Sequence, residues 1–179
     1  MEKQYGLTLV ELLVTIAIIA ILAAVAAPSF VQMIANNALI SQMNSFYIDT
    51  RFARSEAVKR GLDVSLCPST TAMDAEPVCS GSDWKVGWIV FIDTNSNGAR
   101  SNTASDGETI LRRQEAYGSS SSIQGTSTVS SVRYNADGRV AGGAANLVFS
   151  VPNDVVDSRK LCITMTGKVR ILDKGVSTC

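Results

Sequence analysis

From Leu7 to Ala27 the chain carries one charged residue, Glu11, and two hydroxyls, Thr8 and Thr15. Wound as a helix, a run of that length crosses the ~30 Å hydrocarbon core of a bilayer. A carboxylate inside such a run costs on the order of a few kcal/mol, so it marks a functional position by default. The residues before it form a short polar leader, Lys3-Gln4-Tyr5-Gly6. A secretory signal peptide would have a shorter apolar core and a small-x-small cut site. Ala24-Val25-Ala26 and Ala27-Pro28-Ser29 have that form, yet Glu11 sits in the apolar run and the helical pattern continues past both. Lys3 precedes the span and no Lys or Arg follows until Arg51, which orients the segment with its N-terminus inside and the rest outside.

Pro28 removes one helical hydrogen bond and clashes with the turn before it, so a kink or local unwinding is expected there. Beyond it the helical pattern resumes. Leu39, Met43, Phe46, Ala53 and Ala57 recur at spacings of three, four or seven, with Ile40 and Tyr47 widening the stripe. Asn36, Gln42, Asp49, Arg51, Arg54 and Lys59 fall mostly away from it, and Gly61 is a C-terminal stop. The remainder changes to short β-prone runs. Val64–Cys67, Trp88–Ile92, Thr109–Arg113, Val132–Tyr134, Arg139-Val140, Leu147–Val151, Leu161–Met165 and Val169–Leu172 are the expected strands. Trp88–Ile92 is apolar throughout and expected to be buried on both faces. Asp137-Gly138 is a hairpin turn signal, and the Ser/Gly/Thr-rich stretch 118–131 reads as a mobile loop. The expected fold is α+β: a long kinked N-terminal helix, half apolar anchor and half amphipathic, packed on an antiparallel two-sheet β domain. The boundaries follow as leader 1–6, anchor 7–28, amphipathic helix 29–61 and β domain 62–179.

The 179 residues include 16 Lys+Arg and 16 Asp+Glu, a formal net charge of zero that argues against bulk electrostatic capture of nucleic acid. There is no histidine, which removes Ser-His-Asp and Cys-His nucleophile arrangements. No convergent acid, base and nucleophile set is visible, so no enzyme and no cofactor is expected. The cysteines are Cys67, Cys79, Cys162 and Cys179. Outside the cell an even count at long spacings reads as disulfides, and four cysteines allow three pairings. Short loops favour Cys67–Cys79 and Cys162–Cys179, each contributing roughly 3 kcal/mol. The spacing lacks the close pairs a four-thiolate metal site uses. Asp93-Thr94-Asn95-Ser96-Asn97-Gly98 copies the first half of a calcium loop, but the acid due at its twelfth position is Ala104, so a turn-rich loop is expected.

Gly6-Leu7-Thr8-Leu9-Val10-Glu11 resembles the processing motif of type IV prepilins, with Pro28 where that family places a proline. The resemblance implies cleavage between Gly6 and Leu7 by prepilin peptidase and N-methylation of Leu7. The first mature residue there is usually Phe; here it is Leu. Glu11 would pair with the new amine on Leu7 of a neighbouring subunit and set axial register, the pairing a buried carboxylate demands on physical grounds alone. Further along, residues 53–60, Cys67-Pro68-Ser69, Asp83-Trp84, 87–91 and 107–112 are similar to the FimT/FimU branch of minor pilins, which shares the domain of GspH-type pseudopilins.

The resemblance implies a structural subunit of a bacterial type IV pilus that primes assembly and links other minor pilins or a tip adhesin to the major pilin shaft. It would sit first in the inner membrane, with its domain in the periplasm, and later in the filament. A type II secretion pseudopilin carries the same motifs. Some FimT-like members bind DNA through Gly-Arg-x-Arg; here the matching residues are Gly167-Lys168-Val169-Arg170. Lys168, Arg170 and Lys174, with Arg159 and Lys160, would form such a patch for DNA uptake. Few cations and no nearby aromatic would make that binding weak, sequence-independent and salt-sensitive.

Overall fold

The structure is a computed structural model that describes residues 8–101, 107–117, 122–125, 129–150 and 157–172, the side chains of 122–125, 149 and 150 excepted. Helix α1 runs Leu9–Arg60, 52 residues, or about 78 Å at the usual rise. Thr8 caps it from an extended backbone. Its hydroxyl accepts from Glu11 N–H at 3.2 Å, and Glu11 Oε2 accepts from Thr8 N–H at 3.4 Å. Two orphan donors are thereby satisfied reciprocally. At the far end Gly61 adopts a left-handed φ of 65° and its N–H bonds Ala57 O at 2.9 Å. The helix stays helical through Pro28, so the unwinding expected there does not occur.

All five residues of the expected stripe, Leu39, Met43, Phe46, Ala53 and Ala57, are buried. Gln42 and Asp49, expected on the solvent side, are buried too. Asp49 is stable there because Trp88 Nε1 donates to its Oδ2 at 2.9 Å and Arg112 Nη1 to its Oδ1 at 2.8 Å.

The strands are β1 (Val64–Pro68), β2 (Trp88–Ile92), β3 (Ile110–Gln114), β4 (Ser122–Gly125), β5 (Val132–Tyr134), β6 (Ala145–Ser150), β7 (Arg159–Ile163) and β8 (Val169–Leu172). They make two four-stranded antiparallel sheets, ordered β3-β2-β1-β5 and β4-β6-β7-β8. β4 falls inside the stretch expected to be a loop; pairing with β6 overrides its weak local preference. Arg139-Val140 contributes only a single bridge, Tyr134 to Val140.

β2 is buried on both faces, as its apolar composition predicts, and so is β1. Trp88, Val90, Val64 and Leu66 join the main core beneath α1, while Ile89, Phe91 and Cys67 join Ala72 on the other face. Phe46 meets Trp84 and Trp88 edge-on, with ring centroids 5.0 and 5.3 Å apart. The Cys67–Cys79 disulfide ties β1 to the segment over that second face. Cys162 is buried on β7, and Cys179 lies outside the described residues.

Beyond this core, one turn from each sheet also meets α1. Gly138 follows β5 in one sheet and Gly167 joins β7 to β8 in the other; both have φ of 76°. Arg54 Nε donates to Gly138 O at 2.9 Å. A Cβ on Gly167 would collide with Gly138 O, so only glycine permits this approach.

Candidate assembly surface and basic groove

Between Leu9 and Ile34 no α1 residue is buried. Leu9 is 74 % exposed, Leu22 64 % and Ile34 65 %. An unpaired apolar surface of this extent marks a lipid or protein contact. Its acid, Glu11, is exposed and held locally by the Thr8 capping box. That box is legible in Thr8-x-x-Glu11 as the S/T-x-x-E pattern, a signal the sequence reading left unused. The proposed cut, Gly6 and Leu7, lies outside the described residues.

The expected basic patch is divided. Register places Arg170 opposite Cys162 and Lys160 opposite Leu172, so Arg170 and Lys160 share the sheet face turned away from the core. Arg159 alternates to the other face with Leu161 and Ile163. Lys174 lies outside the described residues. Lys168 goes elsewhere. With Gly167 and Val169 it forms one wall of a groove of about 650 Å³, whose other wall is the α1 stripe Tyr47, Arg51, Arg54, Ser55 and Val58, ending at Lys59. Arg51 stacks on Tyr47, its guanidinium carbon 5.6 Å from the ring centroid, and donates to the phenol oxygen at 3.3 Å. The three- and four-residue spacing of this wall, from Tyr47 through Arg51 and Arg54 to Val58, was readable as a helix face. The β7–β8 turn that closes it was not, because that contact is made only by the fold.

The calcium-like loop is closed by its own side chains. The Asp93 carboxylate accepts from Ser65 Oγ at 2.7 Å, Gly98 N at 2.8 Å and Asn97 N at 3.1 Å. Asn97 Oδ1 accepts from Ala99 N at 2.7 Å. It is the turn-rich loop expected, and no metal-ligating cluster occurs among the described residues. Near the groove, a hydrogen bond from Arg60 holds the Glu56 carboxyl below its usual range, with Coulombic help from Arg60 and Lys59 against burial.

A family model described as type II transport protein GspH matches residues 42–167. The chain belongs to the GspH family. A second model, the prokaryotic N-terminal methylation motif, matches residues 1–27. The two matches leave only the helical stretch around Pro28 between them. Comparison with curated protein sequences finds no match. Among solved structures, this GspH-family chain resembles the type IV minor pilin FimU of Pseudomonas aeruginosa in two crystal forms. One has a TM-score of 0.59 at 17 % identity, covering 77 % of this chain and 90 % of that one. The other has a TM-score of 0.52 at 17 % identity, covering 77 % and 92 %. The likeness shows a shared pilin-like fold of one long helix and two antiparallel sheets.

Proposed function

We propose that this chain is a minor pilin of a bacterial type IV pilus. It is made as an inner-membrane prepilin with its domain in the periplasm. Prepilin peptidase cuts it between Gly6 and Leu7, and Leu7 is then N-methylated. Residues 7–60 pack it among major and minor pilins, where it primes assembly and connects tip components to the shaft. The observation that carries this reading is the divided helix: one half wholly unburied, the other half the core of a domain.

The chemistry of assembly follows from that division. Burying the bare half among neighbouring helices removes its apolar surface from water or lipid and gives packing. Glu11 then enters an apolar interior, where an unpaired carboxylate costs several kcal/mol. The Leu7 amine of the adjacent subunit supplies the charge, so only one axial offset satisfies the acid. Pro28 leaves one carbonyl without its helical partner and is the point at which α1 bends to fit the shaft.

The test is the N-terminus and intact mass of the protein from cells with and without prepilin peptidase. The expected product is a chain beginning at methylated Leu7, seen only with the peptidase present. A chain beginning at Met1 in both strains overturns the proposal. The family description favours one second reading, a pseudopilin of type II secretion. Deleting the chain separates the two: lost pili mark the first, lost secretion with intact pili the second.

A further inference from the structure

The groove between α1 and the β7–β8 turn contains positive charge without matching negative charge. Arg51 and Lys168 make no ion pair with any described residue, and Arg54 spends only its Nε, on Gly138 O. Lys59 lies 3.8 Å from Glu56, but its side chain is 76 % exposed while that of Glu56 is 11 % exposed. Glu56 is already bound by Arg60 at 2.6 Å. Val58, 54 % exposed, and half-buried Val169 add apolar surface between the cations.

We propose that this groove receives an acidic peptide segment from a neighbouring filament subunit, an inference that rests on the filament reading above. Planar guanidinium forks match carboxylates in two-point contact, and Arg51 and Arg54 lie on one helix face three residues apart. The exposed valine suits the aliphatic stem of a glutamate or the side chain beside it. The groove also lies on the same helix as the assembly surface. From Ile34, the end of the bare half, to Tyr47 is about 20 Å along the helix. A subunit packed on the bare half therefore places its own domain within reach.

Nucleic acid fits less well. The groove's one aromatic ring, Tyr47, is already stacked by Arg51, leaving little ring face for a base. The cations converge on one hollow instead of tracking a phosphate backbone, and a chain of zero net charge exerts no general pull on a polyanion.

The experiment uses the full processed chain in non-ionic detergent and reads fluorescence anisotropy of labelled hexaglutamate at low salt, with labelled hexathymidylate alongside. Hexaglutamate is expected to bind saturably. The pair Arg51→Glu with Lys168→Glu should weaken it at least tenfold, and Arg170→Glu, outside the groove, by less than twofold. Should the reversed pair unfold on heating well below the parent, Arg51→Gln with Lys168→Gln replaces it, with at least a threefold loss expected. Absence of saturable binding, indifference to the groove variants, or tighter binding of hexathymidylate through the same residues overturns the proposal.

A photo-crosslinking residue at Ser55 in cells then identifies the occupant, with Leu7 processing scored in the same sample. An adduct mapped to an acidic segment of another pilin supports the proposal. Adducts mapped elsewhere, or none despite normal processing, overturn it. Failed processing instead overturns the filament reading itself.

Discussion

The two halves of α1 share one backbone and differ in everything else. Residues 9–34 are apolar on all sides and bury nothing within the chain. Residues 35–60 gather most of their apolar side chains into one stripe, with Ile48 and Val58 left exposed, and that stripe is the floor of the core. A helix apolar all round must be buried by something outside its own domain, whereas a striped helix is completed within it. The same secondary structure therefore leaves one half open to outside partners and serves folding in the other, and substitutions should sort accordingly.

The sharpest contrast comes from Phe46→Ala. It removes a ring packed on two tryptophans, and a loss of about 3–5 kcal/mol is expected in denaturant unfolding. Processing at Gly6 should be unchanged; if processing fails as well, the halves are not independent. Next, replacing Cys67 and Cys79 with Ala should cost about 2–4 kcal/mol by the same measurement, because the bridge closes the cover over the second face of β1 and β2. Asp49→Ala leaves the buried Trp88 N–H without its acceptor, and about 1–3 kcal/mol should be lost.

A smaller effect concerns pH. The Glu56 carboxyl is held below its ordinary value of 4.5 by Arg60. Its contribution is complete above that value and fades as pH falls through the lower folded value. Glu56→Gln should therefore flatten the acid limb of a stability-versus-pH curve. The smallest effect on unfolding belongs to the bare half: Ile19→Ala should fall within about 0.5 kcal/mol of the parent, yet lower incorporation into filaments. A large loss of domain stability from Ile19→Ala would break the comparison.

How far the fold was legible depended on how local its causes are. β2, β5 and β8 begin and end where their β-prone runs do, and α1 stops at the glycine its pattern demanded. β4 was not legible, since Ser122–Gly125 becomes a strand only because β6 offers an edge to pair with. Asp49 was assigned to solvent by polarity alone; its burial requires Trp88 and Arg112, which are 39 and 63 residues away in the chain. The bare half was readable from its apolar composition, but not its extent: the sequence placed its boundary at residue 28, while α1 continues through Pro28 and stays unburied to Ile34. The basic groove was half readable, its helix wall by spacing. Its turn wall depends on a contact between two glycines in different sheets.

That contact has a mechanical consequence. The turn of one sheet accepts a hydrogen bond from Arg54 through Gly138 O, and the turn of the other lies against that same carbonyl at Gly167. The two sheets are thus pinned to each other at α1, beyond the core that both share with the helix. In a filament under tension the domain is therefore expected to turn as a rigid whole, instead of opening between its sheets.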